Sequence, residues 1–165
     1  MINTFSDLEG LRIAMAMETR GRDFYEQAYK QSSNPEHKEL FLWLKNEEIH
    51  HLAKFTALFK TIEGRKEAHT AEYLFDPEAS RYLAAIAEEH VFPKTPYDAA
   101  KHVAGLTGIQ AILQVAMQAE KDSVLFYDEL ANQAKYPEAR EIFRLLKNEE
   151  QSHVVKLREM IDAWA

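Results

Sequence analysis

The 165-residue chain contains no cysteine. That excludes disulfides, thiol catalysis, iron–sulfur clusters and any cysteine-ligated zinc or mononuclear iron site within it. Positive charge is also in short supply. Twenty Lys and Arg against 27 Asp and Glu leave a formal net charge of −7, with no basic stripe to offset it, so a nucleic-acid partner is not expected. No apolar run approaches the ~20 residues that cross a bilayer. Residues 1–11 have neither the basic start nor the apolar core of a signal peptide. The expectation is a cytoplasmic protein with no membrane partner. The remaining composition, 46% apolar and 28% charged, is that of an ordinary globular chain, and its length fits one domain.

What the chain does have is an internal duplication. Residues 11–59 slide onto 113–161 without a gap and match at 18 positions. The matches include Glu18/Glu120, Phe24-Tyr25/Phe126-Tyr127, Pro35/Pro137, Lys45-Asn46-Glu47-Glu48/Lys147-Asn148-Glu149-Glu150 and His51/His153. Ser6 with Glu9 forms a capping box opening a first helix that runs to about Gln31. Asn34-Pro35 opens a second, which Gly64 stops. Residues 65–106 have no counterpart and read as a crossover, with a short helix from Asp76-Pro77 to near Val91 and another near Asp98–Val103. Thr107 with Gln110 reads as the capping box of the third long helix, to about Ala134, and Tyr136-Pro137 turns into a fourth that continues almost to Ala165.

The apolar seam of the second helix runs Phe41, Leu44, Glu48, His51, Phe55, Leu58, Ile62, and that of the fourth runs Phe143, Leu146, Glu150, His153, Leu157, Met160, Trp164. Glu and His therefore sit at core-facing positions, and three residues apart they lie on one helical face. A competing pair, Glu47 and His50, is one position out of phase, and Ser152 stands opposite His50 in the repeat. Glu47 and Glu149 then read as solvated neighbours or as acceptors behind the histidines. Glu18 and Glu48 are 30 residues apart about a midpoint at Ser33, and Glu120 and Glu150 are 30 apart about Lys135. Each pair lies roughly 22 Å from its turn at 1.5 Å per residue, so stacking the hairpins puts Glu18, Glu48, His51, Glu120, Glu150 and His153 in one layer. Six buried ionisable groups would each cost several kcal/mol unless paired, and two divalent cations remove that penalty.

This pattern of Glu and Glu-x-x-His, twice over, resembles the ferritin-like di-iron carboxylate proteins. Phe24-Tyr25 and Phe126-Tyr127 after the lone glutamates make it most similar to the rubrerythrin-type branch. The resemblance covers both hairpins. It implies an all-α, ferritin-like up-down-down-up four-helix bundle, expected as a single domain over 1–165 with hairpin 1 at 1–64, the crossover at 65–106 and hairpin 2 at 107–165. It also implies two iron ions, with Glu48 and Glu150 bridging, Glu18 and Glu120 terminal, and one histidine per metal. The implied activity is an oxidoreductase reducing hydrogen peroxide or dioxygen. Manganese fits similar ligands, and a dimanganese catalase-like site, a ferroxidase or iron-storage protein and a metal-free interaction module remain as alternatives.

The chain departs from the family in two further respects. Rubrerythrins typically carry another carboxylate three residues after the third-helix Glu, where this sequence has Ser123. Their rubredoxin domain needs cysteines, so a separate electron-donor protein is expected. Tyr25 and Tyr127, two turns after Glu18 and Glu120, are expected to hydrogen-bond a ligand carboxylate. Gly21 and Ser123 are read as leaving room for an exogenous ligand, and Met15 and Met117 as core. His37, His69, His90 and His102, which have no repeated partner, are read as ordinary surface or crossover histidines. Apolar residues on outer helix faces imply a homodimer.

Overall fold

The protein, described as a computed structural model over residues 4–165, is built from helices, with no strand among the described residues. Residues 1–3, part of the stretch read above for a signal peptide and of the expected domain, lie outside the described residues. Helix α1 (Asp7–Gln31) starts where the Ser6 hydroxyl accepts the Glu9 N–H at 3.2 Å, as the capping box requires. Helix α2 (Pro35–Glu63) starts on the Asn34 side chain, which accepts the Glu36 N–H, and stops at Gly64. After two short 3-10 turns come α3 (Pro77–Glu88), capped by Asp76, and α4 (Pro96–Gly105), capped by Thr95. Helices α5 (Gly108–Gln133) and α6 (Pro137–Ala163) complete the chain.

The structure corrects two local expectations. Thr107 does not cap α5. The chain turns there through Gly108 at φ +83°, a conformation that favours glycine, and the Gln110 amide instead donates to the Ile161 carbonyl near the end of α6. The seam of α6 also drifts. Ile161 is buried while Met160 and Trp164 are only half-buried. An untwisted helix advances away from a strict seven-residue repeat, and the shift shows in its last turns.

Helices α1 and α2 form one antiparallel hairpin and α5 and α6 the other. The hairpins meet through α1 with α5 and α2 with α6, while α4 lies on α1 and α3 on α5. The hydrophobic core is divided in two. One half gathers Leu11, Phe55, Phe126, Leu130 and Phe143, the other Phe24, Phe41, Leu44, Leu113 and Leu157. Between them lies a polar layer. No described helix is long and apolar enough to cross a membrane.

Candidate metal centre

Glu18, Glu48, His51, Glu120, Glu150 and His153 meet in that layer, each at most 5% exposed. The lone glutamates come from α1 and α5, and the Glu-x-x-His pairs from α2 and α6. The His51 Nδ1 lies 3.2 Å from Glu150 Oε1 and 3.5 Å from Glu18 Oε1. The His153 Nδ1 lies 2.9 Å from Glu150 Oε2 and 3.5 Å from Glu120 Oε2. The two imidazole rings are parallel within 7°, with centroids 5.6 Å apart. Ligand atoms of Glu18, Glu48, His51 and Glu150 all fall within 4.8 Å of one another, as do those of Glu120, Glu150 and His153. Glu150 belongs to both of these groups and Glu48 to one only.

The outer nitrogens are held as well. Glu149 accepts from His51 Nε2 at 2.7 Å, and Glu47 lies 3.4 Å from His153 Nε2. Each comes from the opposite hairpin. A carboxylate behind an imidazole fixes the ring so that Nδ1 faces inward, the usual support for a metal-ligating histidine. Among the two readings of Glu47 and Glu149, this selects the acceptor role. Their neighbour His50 is directed outward, with its side chain 71% exposed, which settles the phase of the motif.

The tyrosines also reach across. Tyr25 on α1 donates its hydroxyl to Glu120 Oε1 at 2.8 Å, and Tyr127 on α5 donates to Glu18 Oε1. Each serves the glutamate of the other hairpin, not that of its own helix. Gly21 holds no room for an exogenous ligand. A Cβ there would lie 2.9 Å from Glu48 Cδ and 3.0 and 3.2 Å from its oxygens, so the Glu48 carboxylate already fills the space. Met117 is core, as read, and Met15 packs against the core's edge. One neighbour, Trp43, went unread in the sequence, and His90, read as an ordinary surface or crossover histidine, lies in the crossover but is not at the surface. Trp43 sets its ring 5.2 Å from that of His153, edge to face. The position equivalent to Trp43 is Leu145, and His90 lies outside the duplication, so no repeated signal marked either.

Electrostatics divide the six groups. Burial and then the charge of Glu18 push Glu48 well above the carboxylate range, and burial with Glu120 does the same to Glu150. Burial opposes ionisation of Glu18 and Glu120 too, but the close approach of Glu48 and His51 holds Glu18 down. That of Glu150 and His153 holds Glu120 at about 2. Burial disfavours charge on the imidazoles, yet Glu150 and Glu18 raise His51 to about 12, and Glu120 and Glu150 raise His153 to about 11. Even so, Glu18 Oε2, both Glu150 oxygens and both histidine Nδ1 atoms have no hydrogen-bond partner. Buried polar atoms left unpaired are costly. Four carboxylates and two imidazoles converging on orphaned ligand atoms are the donor set a pair of divalent metals takes, and the residues fit such a pair.

The Rubrerythrin family model matches residues 9–161. No curated protein matches the chain. Among solved structures, one from Thermotoga maritima described as a ferritin-like diiron-carboxylate protein is 21% identical, with both chains covered completely and a TM-score of 0.75. A hypothetical protein from Pyrococcus furiosus is 22% identical over 97% of this chain and 92% of its own, with a TM-score of 0.66. At these identities the structural likeness speaks to the ferritin-like fold. With nearly the whole chain matched by the family model and the duplicated carboxylate and histidine layer in place, the chain belongs to the rubrerythrin family.

Proposed function

We propose that the chain is a di-iron carboxylate oxidoreductase that reduces hydrogen peroxide or dioxygen at the buried layer. The observation that carries this reading is the set of inward ligand atoms without partners, with Glu150 common to both groups. Glu18, Glu48, His51 and Glu150 would hold one metal, and Glu120, Glu150 and His153 the other. Two reduced irons would supply the two electrons that the oxidant needs. The protein's own part is to fix the ligands and exclude water. Glu149 and Glu47 hold the imidazoles, Tyr25 and Tyr127 hold Glu120 and Glu18, and the two apolar half-cores seal the layer. The donor of the next electrons is a separate protein, since this chain has no cysteine-bound redox centre.

The test is metal content per chain after anaerobic Fe(II) loading and desalting, followed by reaction with peroxide and with dioxygen. Two irons per chain, oxidised by either, support the proposal. Many irons per chain would move the reading to storage, and catalase turnover of a manganese-loaded chain without reductant would move it to the dimanganese alternative. No metal uptake would overturn it. Glu150→Ala should take the stoichiometry from two to one or none, and an unchanged value of two would remove Glu150 from the site.

A further inference from the structure

On the α2 and α6 side the layer has an outer tier. Glu47 and Glu149 stand behind the histidines with side chains 26% and 33% exposed, whereas the six inner residues are closed off from solvent. The crossover helices α3 and α4 pack on α5 and α1, the opposite side. Exposure therefore falls from solvent to centre through this pair of carboxylates.

The duplication makes Glu47 and Glu149 counterparts, yet their surroundings differ. Glu149 accepts from His51 Nε2 at 2.7 Å and has the Lys54 ammonium at 3.6 Å. Glu47 lies 3.4 Å from His153 Nε2, beyond the usual length of such a bond. Among the described residues, Lys156, the counterpart of Lys54, makes no ion pair with it. A carboxylate that only holds a ring takes the closer arrangement of Glu149. Glu47 instead reaches both rings. One of its oxygens and one nitrogen each of His51 and His153 lie within 4.8 Å of one another, a third group of ligand atoms beside the two described above. Two buried imidazoles with one carboxylate are a set that divalent transition metals take, Fe(II) among them.

We infer that Glu47, His51 and His153 form a transit site, where a divalent cation halts after shedding part of its water and before it enters the layer. This site, which rests on the di-metal reading above, is where the centre is loaded. Moving a cation into so dry a layer is costly unless ligands replace its water on the way, and Glu47 supplies an anionic oxygen at the boundary. The site does not stay filled beside a complete centre. A neutral imidazole offers one free nitrogen, and His153 turns Nδ1 toward Glu150 and Nε2 toward Glu47. The outer cation gives way as the inner pair fills, and two metals per chain remain the final count.

Co(II) is the probe, mixed with the metal-free protein and followed by its visible absorption in stopped flow. Competition with a chromophoric chelator gives the final affinity. Glu47→Gln keeps an oxygen to accept from His153 but loses the charge that holds a cation. It should slow loading by about tenfold, with two metals per chain and the final affinity unchanged. Glu39→Gln removes an exposed carboxylate about two turns earlier on α2 and should load at the wild-type rate. Unchanged loading in Glu47→Gln would overturn the transit site and leave the di-metal reading standing. Equal slowing in Glu39→Gln would do the same, since the effect would then belong to surface charge. So would a fall in affinity that matches the slowing, which would make Glu47 only a support for His153. A wild-type chain that takes up no metal would overturn both.

Discussion

Gly21 shows how one missing methyl group shapes the layer. Alanine is favoured over glycine within a helix by about 1 kcal/mol, so a mid-helix glycine needs a reason. Here a Cβ would meet the Glu48 carboxylate at 2.9 Å. The equivalent position in the second hairpin is Ser123, which is buried and carries its Cβ, so the two halves of the layer are not interchangeable. Gly21→Ala should displace Glu48 and weaken one metal by about tenfold, the scale of a disturbed supporting contact, while Ser123→Ala leaves both metals in place. Competition with a chromophoric chelator measures this. Equal affinities in the two variants would contradict the packing argument.

Among the elements, α6 has no capping side chain of its own, because Tyr136 occupies the N-cap position. The turn leading into it is held from the far end of the sequence. Asp7, in the first turn of α1 and 2% exposed, accepts the Lys135 N–H at 2.9 Å and the Tyr136 N–H at 2.8 Å. Burial pushes the Asp7 carboxyl up, and these backbone donors offset it only in part. Asp7→Ala leaves the Lys135 and Tyr136 N–H groups without their acceptor and should cost about 1–3 kcal/mol, read from the urea midpoint at constant m. The tyrosines join the hairpins by a similar crossing. Tyr127→Phe removes the donor to Glu18 and should destabilise the metal-free bundle by about 1.5–3 kcal/mol, as for hydrogen bonds to charged groups. A change below a few tenths would mean that this bond contributes nothing net.

For the whole molecule, the charge of the layer links stability to pH and metal. Burial and the neighbouring carboxylates push Glu48 and Glu150 well above the carboxylate range, and against burial the carboxylates raise His51 to about 12 and His153 to about 11. Two divalent metals on four carboxylates and two neutral imidazoles sum to zero charge. Metal ligation needs Glu48, Glu150, His51 and His153 deprotonated, so loading should release protons from them. Calorimetry in buffers of different ionisation enthalpy counts them, and release near zero would contradict this account. The two histidines are raised above their unfolded value of 6.5, to about 12 and about 11, so their stabilisation is whole below pH 6.5 and is lost as pH rises. Glu48 and Glu150, raised above 4.5, act in the same sense, whereas Glu120, lowered to about 2, loses its contribution only as pH falls below 4.5. The metal-free melting temperature should therefore decline between pH 6 and 9. The loaded protein should not follow it, and at a metal concentration a thousandfold above Kd it should gain about 4 kcal/mol.

The helices, their boundaries within a turn and the level at which six polar residues meet were legible in the sequence because each depends on spacing along one hairpin. Equal arms of 15 residues about Ser33 and about Lys135 place Glu18 beside Glu48 and Glu120 beside Glu150 wherever the helices stay regular. The duplication then marked which glutamates mattered. The tertiary structure decided what lies between elements of unrelated spacing: the crosswise partners of Tyr25 and Tyr127, the clamp of Asp7 on the turn before α6, the carboxylate filling the space at Gly21, and the burial of His90 within a crossover that has no repeat. A periodic pattern says which face of a helix turns inward, but which atom meets which across two packed hairpins is fixed only when the whole core closes.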